Sequence, residues 1–387
     1  MKLAKRMSRL GTETAFEVLA KAKALEAQGR EIIHLEIGEP DFDTPANIIA
    51  AGVKALNSGQ THYTPAAGIL PLRQSIANEV ARTRGIPVQP EQVVVVPGGK
   101  PIMFYVMLAM CESGDEVIYP NPGFPIYESM INFAGAKAVP IPLRMENDFG
   151  LDVDELKSLV NDRTRLIILN SPANPTGGVL TAEQLAQVAE LAMARGIPVL
   201  SDEIYGRILY EGEFASIASV PGMADQTIIL DGYSKTYAMT GWRMGYGVMP
   251  AELARYITKL VTNSTSCTAT FSQYAGIEAL EGPQDAVDAM VAAFRRRRDL
   301  IVDGLNQIPG FRCLSPKGAF YVFPNIEGTG KTSQELADLL LYEGGVAALS
   351  GTCFGAYGEG FLRFSYANSE ENLRKALERI NDVVKRL

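Results

Sequence analysis

Lys235 lies in the segment DGYSKTYAMTGWRMGY, residues 231 to 246, between hydroxyl-bearing neighbours, and Arg243 follows eight positions later. Few acidic side chains near it in the sequence are available to pair with its amine. Because a lysine without an ion-pair partner loses its proton more readily, and the neutral amine is the nucleophile, Lys235 is a candidate for covalent reaction with a carbonyl compound. A structural or solvated lysine is the competing interpretation, and it is the correct one for most lysines.

Two further groups of residues are suited to binding an anion. Ser234 offers a hydroxyl donor, and the guanidinium of Arg243 is able to hold a phosphate through two parallel hydrogen bonds. The pair Gly98 and Gly99 stands between an apolar run and the start of a helix at Lys100, where backbone N–H groups and the helix dipole favour an anion. Taken alone, the glycine pair is explained more simply by a tight strand-to-helix turn.

Asp202 ends a third apolar run, and Tyr205 follows three positions later. The carboxyl ends of parallel strands gather at one edge of an open sheet, so we expect Lys235, Asp202 and the glycine pair to meet there. An amine, a carboxylate, a phenol and an anion site together suit pyridoxal phosphate. Its aldehyde needs an amine, its ring nitrogen needs a carboxylate, and its phosphate needs hydrogen-bond donors.

The composition excludes several other classes of protein. The chain has 387 residues, of which 47% are hydrophobic, so it can bury a large core and is long enough for two or three domains. The net charge of -8 argues against nucleic acid or an acidic membrane surface as a partner. With His34 and His62 as the only histidines, a Ser-His-Asp hydrolase or a HExxH protease is excluded.

The remaining targeting and metal signals are absent from the sequence. The four cysteines are scattered without metal-ligand spacing, so we expect buried, reduced thiols and no metal site. The start of the chain lacks signal-peptide patterning, and no apolar run is long enough to cross a membrane. A cytoplasmic location is therefore expected.

Two segments resemble sites that they do not form, and one common binding pattern is absent. GTGKTSQE, residues 328 to 335, lacks the first glycine of a P-loop, because position 325 is asparagine. No candidate strand is followed by the dinucleotide pattern GxGxxG. The run RRRR at 295 to 298 is most simply one solvated helical turn.

Apolar runs that alternate with helix-period segments predict an α/β fold with a mostly parallel sheet flanked by helices. A capping box at Thr181 and Gln184 predicts a helix that stops at Gly196, and Pro101 suits the first turn of another. The pattern changes near residue 283 and predicts a smaller α+β domain. The predicted strands are EIIHLEI, QVVVVP, DEVIYP, AKAVPIPL, RLIILN, IPVLSDE and TIILDGY.

The segment GYSKTYAMTGWRMG resembles the cofactor-lysine signature of the class I and II aminotransferases, which are pyridoxal-phosphate enzymes of fold type I. The resemblance implies a division into an N-terminal segment, 1–45, that packs with the small domain, a large cofactor-binding domain, 46–283, and a small C-terminal domain, 284–387. It covers nearly the whole chain, through HLEIGEPDFDTP, HYTPAAGILPLR, GGKP, NSPANPTGG, SDEIYGRILYEGE, GAFYVF and FLRFSYA.

The resemblance implies roles around the cofactor ring for five residues. Lys235 would bond to the cofactor's aldehyde carbon and later carry the α-proton of the substrate. Asp202 would pair with the pyridine nitrogen, Tyr205 and Asn174 would bond the ring hydroxyl, and Phe124 would stack on the ring face.

The resemblance also implies the residues that hold the phosphate and the substrate. The cofactor phosphate would be bound by the backbone amides of Gly99 and Lys100, by Ser234 and Arg243 and, from a neighbouring subunit, by Tyr63. The substrate α-carboxylate would be bound by Arg363 and Asn174, with the N–H of Gly38 nearby. Because Tyr63 acts across an interface, we expect a homodimer with a shared active site.

The implied activity is transfer of an amino group from an L-amino acid to a 2-oxo acid such as 2-oxoglutarate, by a ping-pong mechanism. Lys100 matches a residue that holds the distal carboxylate in one aspartate aminotransferase subgroup, which favours an aspartate-like donor. Phe124, where many members of that subgroup have tryptophan, and Pro101 leave an aromatic or broad donor range open. A pyridoxal-phosphate lyase on the same fold and a non-catalytic relative also stay open, because fold and cofactor do not by themselves decide the reaction.

Overall fold

The computed structural model describes residues 1–387, which form an α/β fold of twelve α-helices and twelve strands. The helices are α1 Ala15–Glu26, α2 Ala46–Asn57, α3 Leu70–Arg84, α4 Lys100–Met110, α5 Ile126–Ala134, α6 Val153–Leu159, α7 Ala182–Arg195, α8 Ala251–Ser264, α9 Thr270–Glu281, α10 Asp285–Leu305, α11 Ser333–Leu339 and α12 Glu370–Val384. The strands are β1 Ile33–His34, β2 Val93–Val96, β3 Glu116–Asn121, β4 Lys137–Pro142, β5 Thr164–Asn170, β6 Val199–Asp202, β7 Thr227–Gly232, β8 Gly245–Val248, β9 Tyr321–Val322, β10 Val346–Ala347, β11 Leu349–Ser350 and β12 Leu362–Ser365.

The central sheet has seven strands in the order β2-β8-β7-β6-β5-β3-β4. All run parallel except β8, which is antiparallel to both of its neighbours. The predicted mostly parallel sheet is therefore confirmed. β8 was not predicted, because its sequence GYGV is short and half glycine, which removes the apolar run that marks a buried strand.

Both faces of this sheet are covered, which is why its strands are continuous apolar runs. On one face α4, α5 and α8 pack against alternate strand residues such as Val94 and Leu200. On the other face α6 and α7 pack against residues such as Ile167, and α3 and α9 against residues such as Val95. The carboxyl ends of the strands stay open at one edge of the sheet.

Local signals in the sequence fix the ends of the helices that flank the sheet. Thr181 Oγ1 accepts a hydrogen bond from Gln184 N at 3.1 Å, and Gln184 Oε1 accepts one from Thr181 N at 3.0 Å. Gly196 ends α7 in the left-handed region with φ +61, and Pro101 lies in the first turn of α4. These predictions are confirmed.

The C-terminal part contains the sheet β11-β12-β9 and a separate core beneath α10 and α12. The segment EIIHLEI was predicted to be a full strand, but only β1 forms, and it pairs in parallel with β10 rather than with the central sheet. α9 ends at Glu281 and α10 begins at Asp285, on either side of the expected boundary. The division into 1–45, 46–283 and 284–387 remains a prediction.

Two smaller expectations are wrong in part. Cys111 and Cys313 are buried free thiols, as expected, but Cys267 and Cys353 are partly exposed. Within the arginine run, Arg298 is buried and pairs with Glu211 at 2.8 Å, so this turn is not simply solvated.

No group of residues has the arrangement of a metal site, and none of the helices is both long and apolar enough to span a membrane.

His34 links the N-terminal helix to a buried carboxylate beside the C-terminal part. Its Nδ1 lies 2.7 Å from Glu36 Oε1 and its Nε2 lies 3.1 Å from Glu26 Oε1. The hydrogen bond to Glu36, together with Glu26, raises the pKa of His34 above its ordinary value. Protonated His34 therefore stabilises the fold at pH values below the unfolded pKa, and this contribution is lost as the pH rises through the folded pKa.

We expect His34→Gln to lower the free energy of unfolding by about 0.5 to 1 kcal/mol near pH 5.5 and by less near pH 9. Urea denaturation at both pH values measures the difference. His62→Gln is the matched control, because His62 is exposed. An equal loss at both pH values would show that His34 does not act through its charge.

Candidate active site

A cavity of about 530 Å³ opens at the carboxyl ends of β5 and β6, between the central sheet and the C-terminal part. Its lining contains every predicted site residue except Tyr63. Tyr63 is 88% exposed on the surface of the chain, outside the cavity. Ligand sites in parallel sheets gather at this edge because the chain crosses there from strand to helix.

The amine of Lys235 projects into this cavity from the turn that follows β7. Its Nζ donates a hydrogen bond to Gly38 O and lies 5.8 Å from the centre of the Phe320 ring. Burial, together with the nearby cations Arg363 and Lys100, lowers the pKa of Lys235 to about 8. A larger fraction of this amine is therefore neutral near pH 7 than for a solvated lysine, as a nucleophile requires.

Asp202, the last residue of β6, is a buried carboxylate with no cationic partner in the chain. Tyr127 donates a hydrogen bond to its Oδ2 at 2.7 Å, and Ile204 N donates one to its Oδ1 at 3.3 Å. Burial raises the pKa of Asp202 to about 7 despite these two donors. A cation that entered the cavity beside this carboxylate would be strongly favoured, and a protonated pyridine nitrogen is such a group.

Arg363 on β12 is a buried guanidinium without a carboxylate partner. It donates hydrogen bonds to Asn174 Oδ1, at 3.3 Å, and to Glu36 O, while its Nε has no partner at all. The rings of Tyr321 and Phe354 lie 4.6 and 5.0 Å from its central carbon. A buried, rigid and incompletely bonded guanidinium is suited to binding a carboxylate through two hydrogen bonds.

The turn before α4 brings backbone N–H groups close to Arg243. Gly98 has φ +81, and a Cβ atom there would lie 2.1 Å from Arg243 Nη2. Gly245 is equally constrained, because its Cβ would lie 2.6 Å from Gly99 N. Ser234 lines the cavity beside them. The N–H of Lys100, the first in α4, has no hydrogen-bond partner in the chain, whereas Ile102 N donates to Gly99 O. This donor set fits a phosphate, since it combines a helix N-terminus with a guanidinium and a hydroxyl.

Two tyrosines of the site were missed by reasoning from the sequence. Tyr127 bonds Asp202, and Tyr321 shares a hydrogen bond of 2.7 Å with Tyr205 through the two hydroxyl groups. Tyr321 lies inside the motif GAFYVF of the resemblance, and Tyr127 lies three positions after the predicted Phe124. The sequence therefore indicated both segments, but it does not give the direction in which a tyrosine hydroxyl projects.

Asn170 was also missed, and it holds two predicted residues in place. Asn174 N donates to its Oδ1 at 2.9 Å, and its Nδ2 donates to Asp202 O at 3.1 Å. As the last residue of β5, it lies next to Asp202 at the end of β6. The sequence signal that could have identified Asn170 is its position at the end of a predicted strand, shortly before NPTGG.

Lys100 and Phe124 lie together at another part of the wall. Lys100 Nζ is 5.5 Å from the centre of the Phe124 ring and forms an ion pair of 2.9 Å with Glu13 Oε1. Glu13 was not predicted, and nothing in its sequence context marks it. Lys100 is therefore engaged by a carboxylate of the chain itself.

Taken together, these groups fit pyridoxal 5'-phosphate as a bound cofactor. The cavity holds a nucleophilic amine, an uncompensated buried carboxylate and a phosphate-binding turn, which match the aldehyde, the ring nitrogen and the phosphate of that molecule. Arg363 and its unpartnered Nε are left for a substrate carboxylate.

Comparisons with known proteins agree with this chemistry. The family model for aminotransferase class I and II matches residues 30–380. The chain is 40% identical to an aspartate aminotransferase of Geobacillus stearothermophilus, over 98% of each protein. It is 41% identical to the aromatic-amino-acid aminotransferase 2 of Thermococcus litoralis, over 93% of each.

The fold also matches solved structures. The aspartate aminotransferase from Thermus thermophilus with maleate superposes with a TM-score of 0.95 at 40% identity, over 99% of this chain and 100% of that one. The alanine aminotransferase from Pyrococcus furiosus has the same TM-score of 0.95 at 33% identity, over the full length of both chains. The predicted fold class is confirmed by these neighbours.

Proposed function

This chain belongs to the class I and II aminotransferases, and we propose that it uses pyridoxal 5'-phosphate to move an amino group from an L-amino acid, with an aspartate-like donor favoured, to a 2-oxo acid such as 2-oxoglutarate. One observation carries the proposal. Lys235, Asp202 and Arg363 face one cavity as charged groups, and none of them has an ion-pair partner in the chain. Such groups are costly unless a ligand of opposite charge or a covalent partner compensates them.

The residues divide into those that would hold the cofactor and those that would hold the substrate. Lys235 would carry the aldehyde carbon, Asp202 would pair with the ring nitrogen, and Phe124 would lie against the ring face. The ring hydroxyl would be bonded by Tyr205 and Asn174. The phosphate would be bound by the backbone amides of Gly99 and Lys100, by Ser234 and Arg243, and by a partner copy's Tyr63. The substrate α-carboxylate would be bound by Arg363 and Asn174, near Gly38.

When bound, pyridoxal 5'-phosphate supplies an aldehyde that takes up the amino group and a cationic ring that withdraws electrons from the substrate α-carbon. Asp202 would hold a proton on the ring nitrogen, because a positive charge beside it would stabilise the buried carboxylate. Lys235 takes the α-proton at Nζ, since its lowered pKa lets the amine act as a base near neutral pH. Arg363 fixes the α-carboxylate, which orients the Cα–H bond towards that amine.

The exposed position of Tyr63 supports a homodimer with a shared active site, because its hydroxyl would then complete the phosphate site of a second copy. The relatives named aspartate aminotransferase and Lys100 in the cavity wall support a dicarboxylic donor.

A screen of amino acids tests the proposed activity. The purified, cofactor-loaded protein is mixed rapidly with each L-amino acid, and the change in visible absorption is followed together with release of the 2-oxo acid. We expect stoichiometric release in a single turnover and full catalysis when 2-oxoglutarate is added. Release of ammonia or carbon dioxide instead would identify a lyase, and no spectral response to any donor would overturn the proposal.

We expect Arg363→Lys to raise KM for amino acid donors by about 10- to 100-fold, with a smaller effect on kcat. An ammonium group cannot form the two parallel hydrogen bonds of the guanidinium, so capture of the α-carboxylate is weakened more than the proton transfer. Steady-state kinetics with aspartate measures the split between KM and kcat. Arg312→Lys is the control, because Arg312 is exposed and lies outside the cavity.

A further inference from the structure

Glu13 and Lys100 form the one ion pair whose two members both line the cavity. Lys100 Nζ lies 2.9 Å from Glu13 Oε1, and the side chains are 43% and 14% exposed, respectively. Lys235, Asp202 and Arg363, which also face the cavity, have no such partner. Glu13 therefore neutralises a cation of the cavity wall that would otherwise be available to an anionic group of a ligand.

Glu13 is delivered to the cavity by the N-terminal segment. It lies between the 3₁₀ helix Lys5–Arg9 and α1, where hydrogen bonds between Ser129 of α5 and the backbone of Gly11 fix the segment. Gly11 N donates to Ser129 Oγ at 2.9 Å, and Ser129 Oγ donates to Gly11 O at 3.2 Å. Gly11, two residues before Glu13, is thus anchored to α5, a helix that covers the central sheet. This anchor fixes the position of Glu13.

The pair lies within electrostatic reach of the reacting amine. Burial is the main cause of the lowered pKa of Lys235, but Glu13 acts to raise that pKa and Lys100 acts to lower it. Glu13 also acts to raise the pKa of Tyr321, which flanks Arg363. Glu13 and Lys100 line the same cavity as Arg363 and Lys235, so a substrate held by Arg363 and attached near Lys235 would extend its side chain into their region.

We propose that Glu13 is a specificity-determining residue that occupies Lys100 in place of the second carboxylate of a substrate. The inference rests on the proposed function and deepens it. Amino acids with uncharged side chains leave the pair intact. Dicarboxylic amino acids reach Lys100 by displacing Glu13, so their binding includes the loss of this ion pair.

The exposure of Lys100 makes such displacement feasible, because partly exposed ion pairs contribute little stability. Removing the competing charge should improve binding of dicarboxylates about three- to fivefold. The amide of Glu13→Gln keeps the size of the side chain, so the cavity keeps its shape.

The experiment compares wild-type and Glu13→Gln holoenzymes. We expect the ratio of KM for aspartate to KM for phenylalanine to fall about three- to fivefold in the variant. Binding of succinate, an unreactive dicarboxylate, should tighten by the same factor in calorimetry, whereas binding of 3-phenylpropionate should not. In Lys100→Gln, the further change Glu13→Gln should give no such gain, because the site for the second carboxylate is gone.

Glu17→Gln is the matched control, since it removes the same charge from the same segment, and Glu17 is exposed and outside the cavity lining. Unchanged or weaker succinate binding in Glu13→Gln would overturn the inference. A loss confined to basic amino acids would also overturn it and would make Glu13 a site for a cationic side chain. Succinate binding requires no turnover, so failure of this inference is separable from failure of the proposed activity.

Discussion

Lys235→Ala is expected to lower kcat for amino transfer by about 10⁴-fold. The variant loses the nitrogen that would bond to the cofactor and the base that would carry the α-proton. The other lysine in the cavity wall, Lys100, is paired with Glu13. Single-turnover measurements with a good amino donor provide the rate. Borohydride reduction followed by mass spectrometry should place the cofactor mass on the peptide that contains Lys235 in the wild-type protein, and on no peptide of the variant.

The fold should survive this change, because burial already disfavours the charged amine. The pKa of Lys235 is lowered to about 8, below its ordinary value, so the unfolded chain binds more protons between the two values and stability rises with pH in that window. In the cofactor-free protein, this rise should be absent from Lys235→Ala. Lys157→Ala, at an exposed position on α6, is the control. Near-wild-type turnover in Lys235→Ala would refute the assigned role.

Asp202→Asn is expected to slow the half-reaction by about 10²- to 10⁴-fold. The amide is isosteric: its oxygen can accept the hydrogen bond of Ile204 N, and its NH2 group can donate to the Tyr127 hydroxyl oxygen, so the geometry of the cavity is preserved. What is lost is the negative charge that would keep a proton on the ring nitrogen. Rapid mixing with an amino donor measures the rate, and Tyr127→Phe, which retains the carboxylate, should have a much smaller effect.

The same substitution is expected to make the cofactor-free protein more stable, although it slows the half-reaction. The pKa of Asp202 is raised to about 7, above its ordinary value, so the carboxylate destabilises the cofactor-free fold increasingly as the pH rises towards 7. Asp202→Asn removes this cost, and urea denaturation above pH 7 should show a more stable apoprotein. A variant that is both less stable and unimpaired in the half-reaction would show that Asp202 is structural.

Much of the fold followed from local patterns in the sequence. Six of the seven strands of the central sheet were predicted, because each is an apolar run long enough to be recognised without its neighbours. The exception in this sheet was β8, whose glycines carry no hydrophobic signal. Outside it, the apolar run EIIHLEI forms only β1, which pairs with β10 from the far end of the chain. Pairing partners distant in sequence leave no local trace.

The site residues likewise divide into those that the sequence indicated and those that only the structure revealed. The sequence by itself determined which residue types could do the chemistry, since Lys235, Asp202 and the glycine pair before α4 stand at strand ends whose gathering follows from parallel topology. Only the tertiary structure decided that Tyr127 bonds Asp202, that Tyr321 bonds Tyr205, and that Glu13 occupies Lys100. The reason is physical. Backbone hydrogen bonding orders the strand ends, and the hydrophobic pattern of the sequence indicates those strands. The direction of a side chain depends instead on packing between segments remote in the chain.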